Sequence, residues 1–81
     1  MVTSTQCRMA RAALRWSLKD LAEKSQVNHV TINRFEMEQA SSNPATLAAL
    51  RRALEEGGVE FIAENGGGAG VRLRKGSDHA S

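Results

Sequence analysis

The chain has 81 residues and a formal net charge of +2, and 41% of its residues are apolar. This length allows one domain with a thin core, so burial against a second subunit would add stability. No apolar run reaches the roughly 20 residues of a membrane span, and no signal-peptide segment opens the chain, so we expect a cytoplasmic protein. The single cysteine, Cys7, excludes an internal disulfide and a site with several thiolate ligands.

Charge is distributed unevenly along the chain. Residues 1–35 carry six basic and two acidic side chains, whereas residues 36–64 carry two basic and six acidic ones. A basic front half is typical of proteins that bind a polyanion, although solvated helix faces are often basic as well. The charge pattern therefore leaves nucleic-acid binding and an ordinary solvated surface both open.

The first half of the chain predicts two helices. Basic and apolar residues recur at helical spacing over 5–15. Ser17 is placed to cap a second helix, because its hydroxyl can accept a free backbone N–H while Asp20 reaches back. This helix should end near Ser25. Its inner stripe is predicted to consist of Leu18, Leu21 and Ala22.

Two further helices follow, each with a capping signal. Asn28 is the cap candidate for a third helix of about nine residues, a short but ordinary length. Asn43 and Pro44 mark a fourth, because proline is tolerated at the first helical position. Gly57 and Gly58 end that helix. The predicted inward residues of the two helices are Ile32, Phe35, Leu47, Leu50 and Leu54.

The pattern then changes to a period of two. Segments 59–62 and 71–74 alternate as strands do, and a glycine-rich loop between them predicts a β-hairpin over 59–74. The polar residues 75–81 are expected to be disordered. We therefore predict a helical domain over 1–58 followed by this hairpin and a short tail.

Residues 18–37 form the most informative unit. Two short helices that meet at a steep angle need a small residue at their closest approach, and Ala22 is placed there. Val27 supplies an apolar residue in the turn, and Ile32 and Phe35 anchor the second helix. This spacing leaves the outer face of the second helix free to enter a major groove, while an ordinary helical hairpin is the alternative.

Two stretches carry a family resemblance: 16–24 (WSLKDLAEK) and 27–36 (VNHVTINRFE) resemble the helix-turn-helix of the Cro/phage-repressor family, also called the XRE family. The entry to the fourth helix at Asn43 (NPATL) is also similar, so the resemblance covers roughly residues 6–56. It implies a mainly α, lambda-repressor-like domain of four helices, here followed by the predicted hairpin. It also implies a regulator that binds double-stranded DNA and needs no cofactor or metal.

The resemblance assigns functional residues position by position. The recognition helix would span 28–37, and Glu36 would close it in a structural role. The side chains that would read bases are His29, Val30, Asn33 and Arg34. The side chains that would contact the DNA backbone are Ser17, Lys19, Asn28 and Thr31, with Arg8, Arg11 and Arg15 as further candidates from their charge. Arg34 can donate two hydrogen bonds to guanine, Asn33 can pair with adenine, and Val30 can contact a thymine methyl group.

Three positions depart from the family pattern. Leu18 replaces a glutamine that often makes a polar contact. Gln26 replaces a turn glycine and must therefore either adopt a left-handed conformation or distort the turn. Glu38 replaces the glycine that often follows the closing glutamate, which places an acid near the expected path of the phosphates. We therefore expect the family fold with altered phosphate contacts.

The predicted hairpin has two interpretations, because a two-stranded hairpin is marginal alone and must pack or pair. In the first, strands from two subunits form a shared sheet whose apolar face consists of Phe61, Ile62, Val71 and Leu73. In the second, Arg72, Arg74 and Lys75 form a wing on the DNA backbone. We favour the homodimer, because both strands carry apolar residues and the core is thin.

These features together predict a dimeric regulator, with repression slightly preferred, on an inverted repeat whose half-sites lie about one helical turn apart. The alternative is a protein-interaction module of the same fold, such as an antitoxin or antiactivator, acting through a regulatory protein partner. Catalysis is not expected. His29 and His79 have no accompanying acid and nucleophile, and the glycine run 66–70 lacks a phosphate-binding motif.

Overall fold

A computed structural model describes residues 2–63 and 66–74. In chain order it contains the helices and strands α1 (Ser4–Leu14), α2 (Leu18–Ser25), α3 (His29–Glu36), α4 (Pro44–Glu56), β1 (Val59–Ile62) and β2 (Gly70–Leu73). The prediction of four helices followed by a hairpin is therefore confirmed. The predicted tail 75–81, which includes Lys75 and His79, lies outside the described residues. No helix in the described ranges is long and apolar enough to cross a membrane.

A side-chain cap begins each of the four helices, at Thr3, Ser17, Asn28 and Asn43. In α2 the predicted reciprocal pair is present. The Ser17 hydroxyl accepts the Asp20 N–H at 3.0 Å, and the Asp20 carboxylate accepts the Ser17 N–H at 2.9 Å. These bonds satisfy backbone donors that no preceding turn can satisfy, which explains why the helices start where they do.

A residue with left-handed backbone conformation ends α2, and a second one lies just after α3. Gln26 has φ 63° at the end of α2, and Glu38 has φ 59° just after α3. Of the two alternatives for Gln26, the structure therefore shows the left-handed conformation. Both side chains carry the strain that a glycine would avoid, since Cβ crowds the backbone at positive φ.

The core lies where the four helices and β1 meet. Its fully buried side chains are Leu21, Ile32, Leu50, Leu54, Val59 and Cys7. Trp16 is half-buried against this cluster, and Phe35 is part of it. Helix α3 contributes only its inner side to the core, so its outer side is left free.

The hairpin pairs β1 with β2 in antiparallel register, with Phe61 opposite Val71 and Ile62 opposite Gly70. Neighbouring residues of a strand point to opposite faces. Phe61 and Val71 therefore share the face that packs on the core. Ile62 lies on the other face, so the expectation that it joins Phe61, Val71 and Leu73 in one apolar face is wrong.

A buried glutamine ties the hairpin to α1. The Gln6 amide donates to the backbone carbonyls of Ile62 at 3.2 Å and Gly70 at 3.0 Å. Its oxygen accepts the Thr3 N–H in the α1 capping box. One side chain thus fixes both the start of α1 and the loop end of the hairpin.

Candidate nucleic-acid interface

Helix α3 is divided sharply into a buried and an exposed side. Ile32, Phe35 and Glu36 are buried. The exposed residues of the helix are His29, Val30, Thr31, Asn33 and Arg34. At 100° per residue, Val30, Asn33 and Arg34 fall within a narrow sector of the helix surface. The structure therefore brings three of the four predicted base readers into one stripe, with His29 at the N-terminal edge.

The start of α3 lies beside the first turn of α2. An open, shallow cleft there is lined by Lys19, Ala22 and Glu23 of α2, by Gln26 and Val27 of the turn, and by Asn28 and His29. The Asn28 side-chain oxygen accepts the Val30 N–H at 2.7 Å. The side-chain NH2 group of Asn28 therefore points away from this helix N-terminus. The structure thus gathers two predicted backbone contacts and one predicted base reader around a single concave surface.

The other predicted backbone contacts are exposed but separate. The Ser17 hydroxyl already accepts the Asp20 N–H and also bonds the Asp20 carboxylate, so a phosphate contact by Ser17 would compete with Asp20. Hydrogen bonds from the Ser17 backbone and hydroxyl hold the pKa of Asp20 below its ordinary value. Thr31 is exposed on α3, and Arg15 is exposed at the left-handed end of α1.

Glu36 is held in a buried ion pair that reaches across to α1. Arg11 donates to its carboxylate through Nε at 2.8 Å and Nη2 at 2.7 Å, and through Nη1 to the Trp16 carbonyl at 3.0 Å. Arg8 donates to the Glu36 backbone carbonyl. The structural role expected for Glu36 is supported by these contacts. The expectation that Arg11 contacts a phosphate is wrong, because its guanidinium is bonded to Glu36 and to the Trp16 carbonyl.

The Cys7 thiol belongs to the same buried cluster and donates to Glu36 at 3.2 Å. Burial, and then the hydrogen bond to Glu36, raise the pKa of Cys7 far above its ordinary value. The thiolate is the reactive form, so this cysteine is held protonated and inert. Its function is to fill space and donate one hydrogen bond.

One exposed residue of the stripe was not predicted. Met37 follows α3 directly, four positions after Asn33 and seven after Val30, and its side chain is 58% exposed. Its helical spacing from Val30 and Asn33 is the sequence signal that would have placed Met37 on this stripe. Glu38, which departs from the family pattern, is the next residue after Met37. The Glu38 carboxylate accepts the Ser4 hydroxyl at 3.2 Å.

Comparison with known families agrees with this geometry. A family profile described as helix-turn-helix matches residues 8–61, more than half of the chain. No curated protein matches the chain. The family is a DNA-binding regulatory one and is not typically enzymatic. The chain therefore belongs to the XRE/Cro-type helix-turn-helix family, whose members are DNA-binding transcriptional regulators.

Proposed function

We propose that this protein is a sequence-specific transcriptional repressor that binds an inverted-repeat operator as a homodimer. The observation that carries the proposal is the division of α3. One side is locked into the fold by Ile32 and Phe35, and the other presents an exposed stripe that includes Asn33 and Arg34. A helix held in this way can enter a major groove without rearranging the core.

The chemistry of the exposed stripe suits base recognition. Arg34 makes no ion pair within the described residues, so its donors are available for guanine O6 and N7. Asn33 offers the donor and acceptor that match adenine. A correct bidentate contact of this kind contributes about 1–3 kcal/mol of discrimination.

The surroundings of α3 suit the DNA backbone. Lys19, Asn28 and Thr31 are exposed around its N-terminal half, where phosphates flank a helix seated in the groove. Binding should therefore weaken steeply as salt rises, because each neutralised phosphate releases counterions. Arg11 adds nothing to this dependence, since Glu36 neutralises it.

Dimerisation rests on the hairpin. β2 is paired only with β1 among the described strands, which leaves its other edge open. Leu73 on this strand is 46% exposed, so it offers apolar surface to a second strand that would pair at this edge. The wing interpretation is less favoured, because Arg72 pairs with Glu60 at 2.8 Å.

Repression is preferred over activation because a protein bound across a promoter blocks polymerase without needing any further contact. The proposal places the protein in the cytoplasm, associated with the nucleoid when it is bound to DNA.

The test is recovery of genomic fragments by the purified protein, compared with Arg34→Ala. Arg52→Ala is the matched control, because Arg52 is an exposed arginine on α4, away from α3. We expect a shared inverted-repeat motif with the native chain and with the control, and its loss with Arg34→Ala. Folded protein that enriches no motif would contradict the proposal and favour the protein-partner alternative.

The dimer has its own test. Leu73→Glu should give a monomer by light scattering that binds single half-sites weakly, since the substituted side chain is exposed and the fold should persist. Ala13→Glu adds the same single negative charge at an exposed position of α1 and should remain dimeric. A dimeric Leu73→Glu protein would show that the interface lies elsewhere.

A further inference from the structure

The hydrogen bonds of the hairpin show which backbone groups of β2 are directed away from β1. The Arg74 N–H donates to the Gly58 carbonyl at 2.7 Å, one position beyond the paired strands. Bonded and non-bonded pairs alternate along an antiparallel ladder. Leu73, the residue before Arg74, and Val71 therefore lie in non-bonded pairs. The N–H and C=O groups of Val71 and Leu73 consequently point out from the free edge of β2.

The edge of β2 is more accessible than the edge of β1. Val59, whose outward backbone groups lie on the edge of β1, has no exposed surface, whereas Leu73 on β2 is 46% exposed. Among the described residues, the backbone groups of Val71 and Leu73 make no hydrogen bond outside the hairpin. Unpaired strand edges of this kind are templates for another strand. A further strand would therefore add to β2.

A second copy of β2 fits this edge in one register. Identical strands related by a two-fold axis across the sheet pair antiparallel, and an outward residue can bond only an outward residue. With the axis at Arg72, Val71 faces the partner's Leu73 and Leu73 faces the partner's Val71, so both outward residues are bonded within β2. An axis at Val71 would instead set Leu73 against Ala69, which lies outside the strand. An axis at Leu73 would likewise set Val71 against a residue beyond the strand.

Side chains on both faces of the hairpin suit this register. On the core side, Leu73 would lie beside the partner's Val71, which covers the exposed apolar surface of Leu73. On the outer face, Arg74 would lie opposite the partner's Gly70. An added Cβ at Gly70 would meet nothing within 4 Å, so the space above it is open to a long side chain.

The same register places two arginines opposite each other on the outer face. Arg72 would face the partner's Arg72, and like charges in directly opposed positions destabilise a sheet. Glu60 on β1 binds Arg72 through Nε at 2.8 Å. Each subunit thus supplies the carboxylate that neutralises its own arginine, on the side away from the two-fold axis.

We propose that two copies of this chain join through β2 with the two-fold axis at Arg72, which forms a continuous four-stranded antiparallel sheet. Glu60 is a positioning residue of this interface, because it acts on the partner only through Arg72. The inference rests on the homodimer of the proposed function and specifies how its subunits pair.

Single-cysteine variants of the full chain test the register. Arg72→Cys places two thiols directly opposite each other, with Cα atoms about 4.5 Å apart, a separation that a disulfide can bridge. Val71→Cys or Leu73→Cys would place them diagonally, about 7–8 Å apart, which is too far. We therefore expect mild oxidation to give a disulfide-linked dimer on non-reducing gels only for Arg72→Cys. Ala13→Cys, at an exposed position of α1, and the native chain, whose Cys7 is buried, measure the background.

Glu60→Gln tests the positioning role. This change leaves the two opposed arginines without their carboxylates, so the Kd of the dimer should rise about two- to fivefold in sedimentation experiments at low salt. The rise should shrink as salt screens the repulsion. Adding Arg72→Thr should return Kd to the native value, because no like charges then remain at the axis. Glu55→Gln is the matched control, since it breaks the half-exposed pair with Arg51 on α4 and should leave Kd unchanged.

Each contrary result has a distinct meaning. A disulfide dimer formed by Val71→Cys or Leu73→Cys instead of Arg72→Cys would overturn the register and leave the homodimer intact. A native dimer that none of these three variants links would place the interface outside β2. A low-salt Kd that Glu60→Gln leaves unchanged would overturn the positioning role. A native chain that stays monomeric would remove the proposed homodimer together with this inference, while the recovery of a DNA motif is measured separately.

Discussion

Replacing Glu36 with glutamine should destabilise the whole domain, because it breaks the buried ion pair between α1 and α3. The Glu36 side chain is 3% exposed and accepts two guanidinium hydrogen bonds from Arg11 and one from the Cys7 thiol. Glutamine keeps the size but removes the charge. It also turns an NH2 group towards donors, whichever way the amide is oriented.

The magnitude follows from burial. Removing one partner of a buried ion pair costs about 3–5 kcal/mol, because the other charge is left uncompensated. The Arg11 side chain is 21% exposed, so water can reach part of the stranded guanidinium. We therefore expect a loss of about 2–3 kcal/mol in the free energy of unfolding, a large fraction of the 4–12 kcal/mol or so typical of this chain length.

Urea unfolding followed by the fluorescence of Trp16, the single tryptophan, measures this loss. Glu55→Gln is the matched control. It breaks the half-exposed pair with Arg51 within α4 and should cost less than about 0.5 kcal/mol. The double substitution Arg11→Met with Glu36→Leu should recover most of the stability, because it leaves no charge unpaired. Equal midpoints for Glu36→Gln and Glu55→Gln would refute this reasoning.

Three further predictions concern stability. The Cys7 pKa is raised in the fold, so above its ordinary value of 9.0 only the unfolded chain releases the proton. Stability should fall by up to about 1.4 kcal/mol per pH unit there, and Cys7→Ala should remove that slope in urea titrations at several pH values. Glu38→Gly should raise the free energy of unfolding by roughly 1 kcal/mol, because glycine relieves the positive φ. A lower urea midpoint than that of the native chain would show that the Ser4 contact outweighs the strain. Gly57→Ala should cost about 1–3 kcal/mol, since its Cβ would lie 2.7 Å from the Trp16 ring, and an unchanged midpoint would show that the ring moves freely.

Local signals explain how much of the fold was predictable. A cap and the N–H it accepts lie within three residues, so Ser17, Asn28 and Asn43 could be recognised from the sequence. The same holds for the exposed stripe on α3, because burial of Ile32 and Phe35 fixes which side of the helix faces outward.

Contacts between distant parts of the chain were not predictable in this way. Arg11 looked like a phosphate contact because its partner, Glu36, is 25 residues away and basic spacing along α1 does not reveal it. Ile62 was placed on the wrong face because Phe61 and Ile62 are both apolar, and only the register with β2 decides which one faces the core.

Helix α1 connects the two parts of the molecule that a dimeric regulator must hold in fixed relation. At its N-terminal end, Gln6 binds the hairpin through the carbonyls of Ile62 and Gly70. Little more than one turn later, Arg11 binds Glu36 at the end of the recognition helix. A dimer that pairs through its hairpins can match half-sites one helical turn apart only if each recognition helix keeps its distance from the hairpin. The Arg11–Glu36 ion pair holds the recognition helix to α1, and in the proposed dimer it would thereby help to keep that distance.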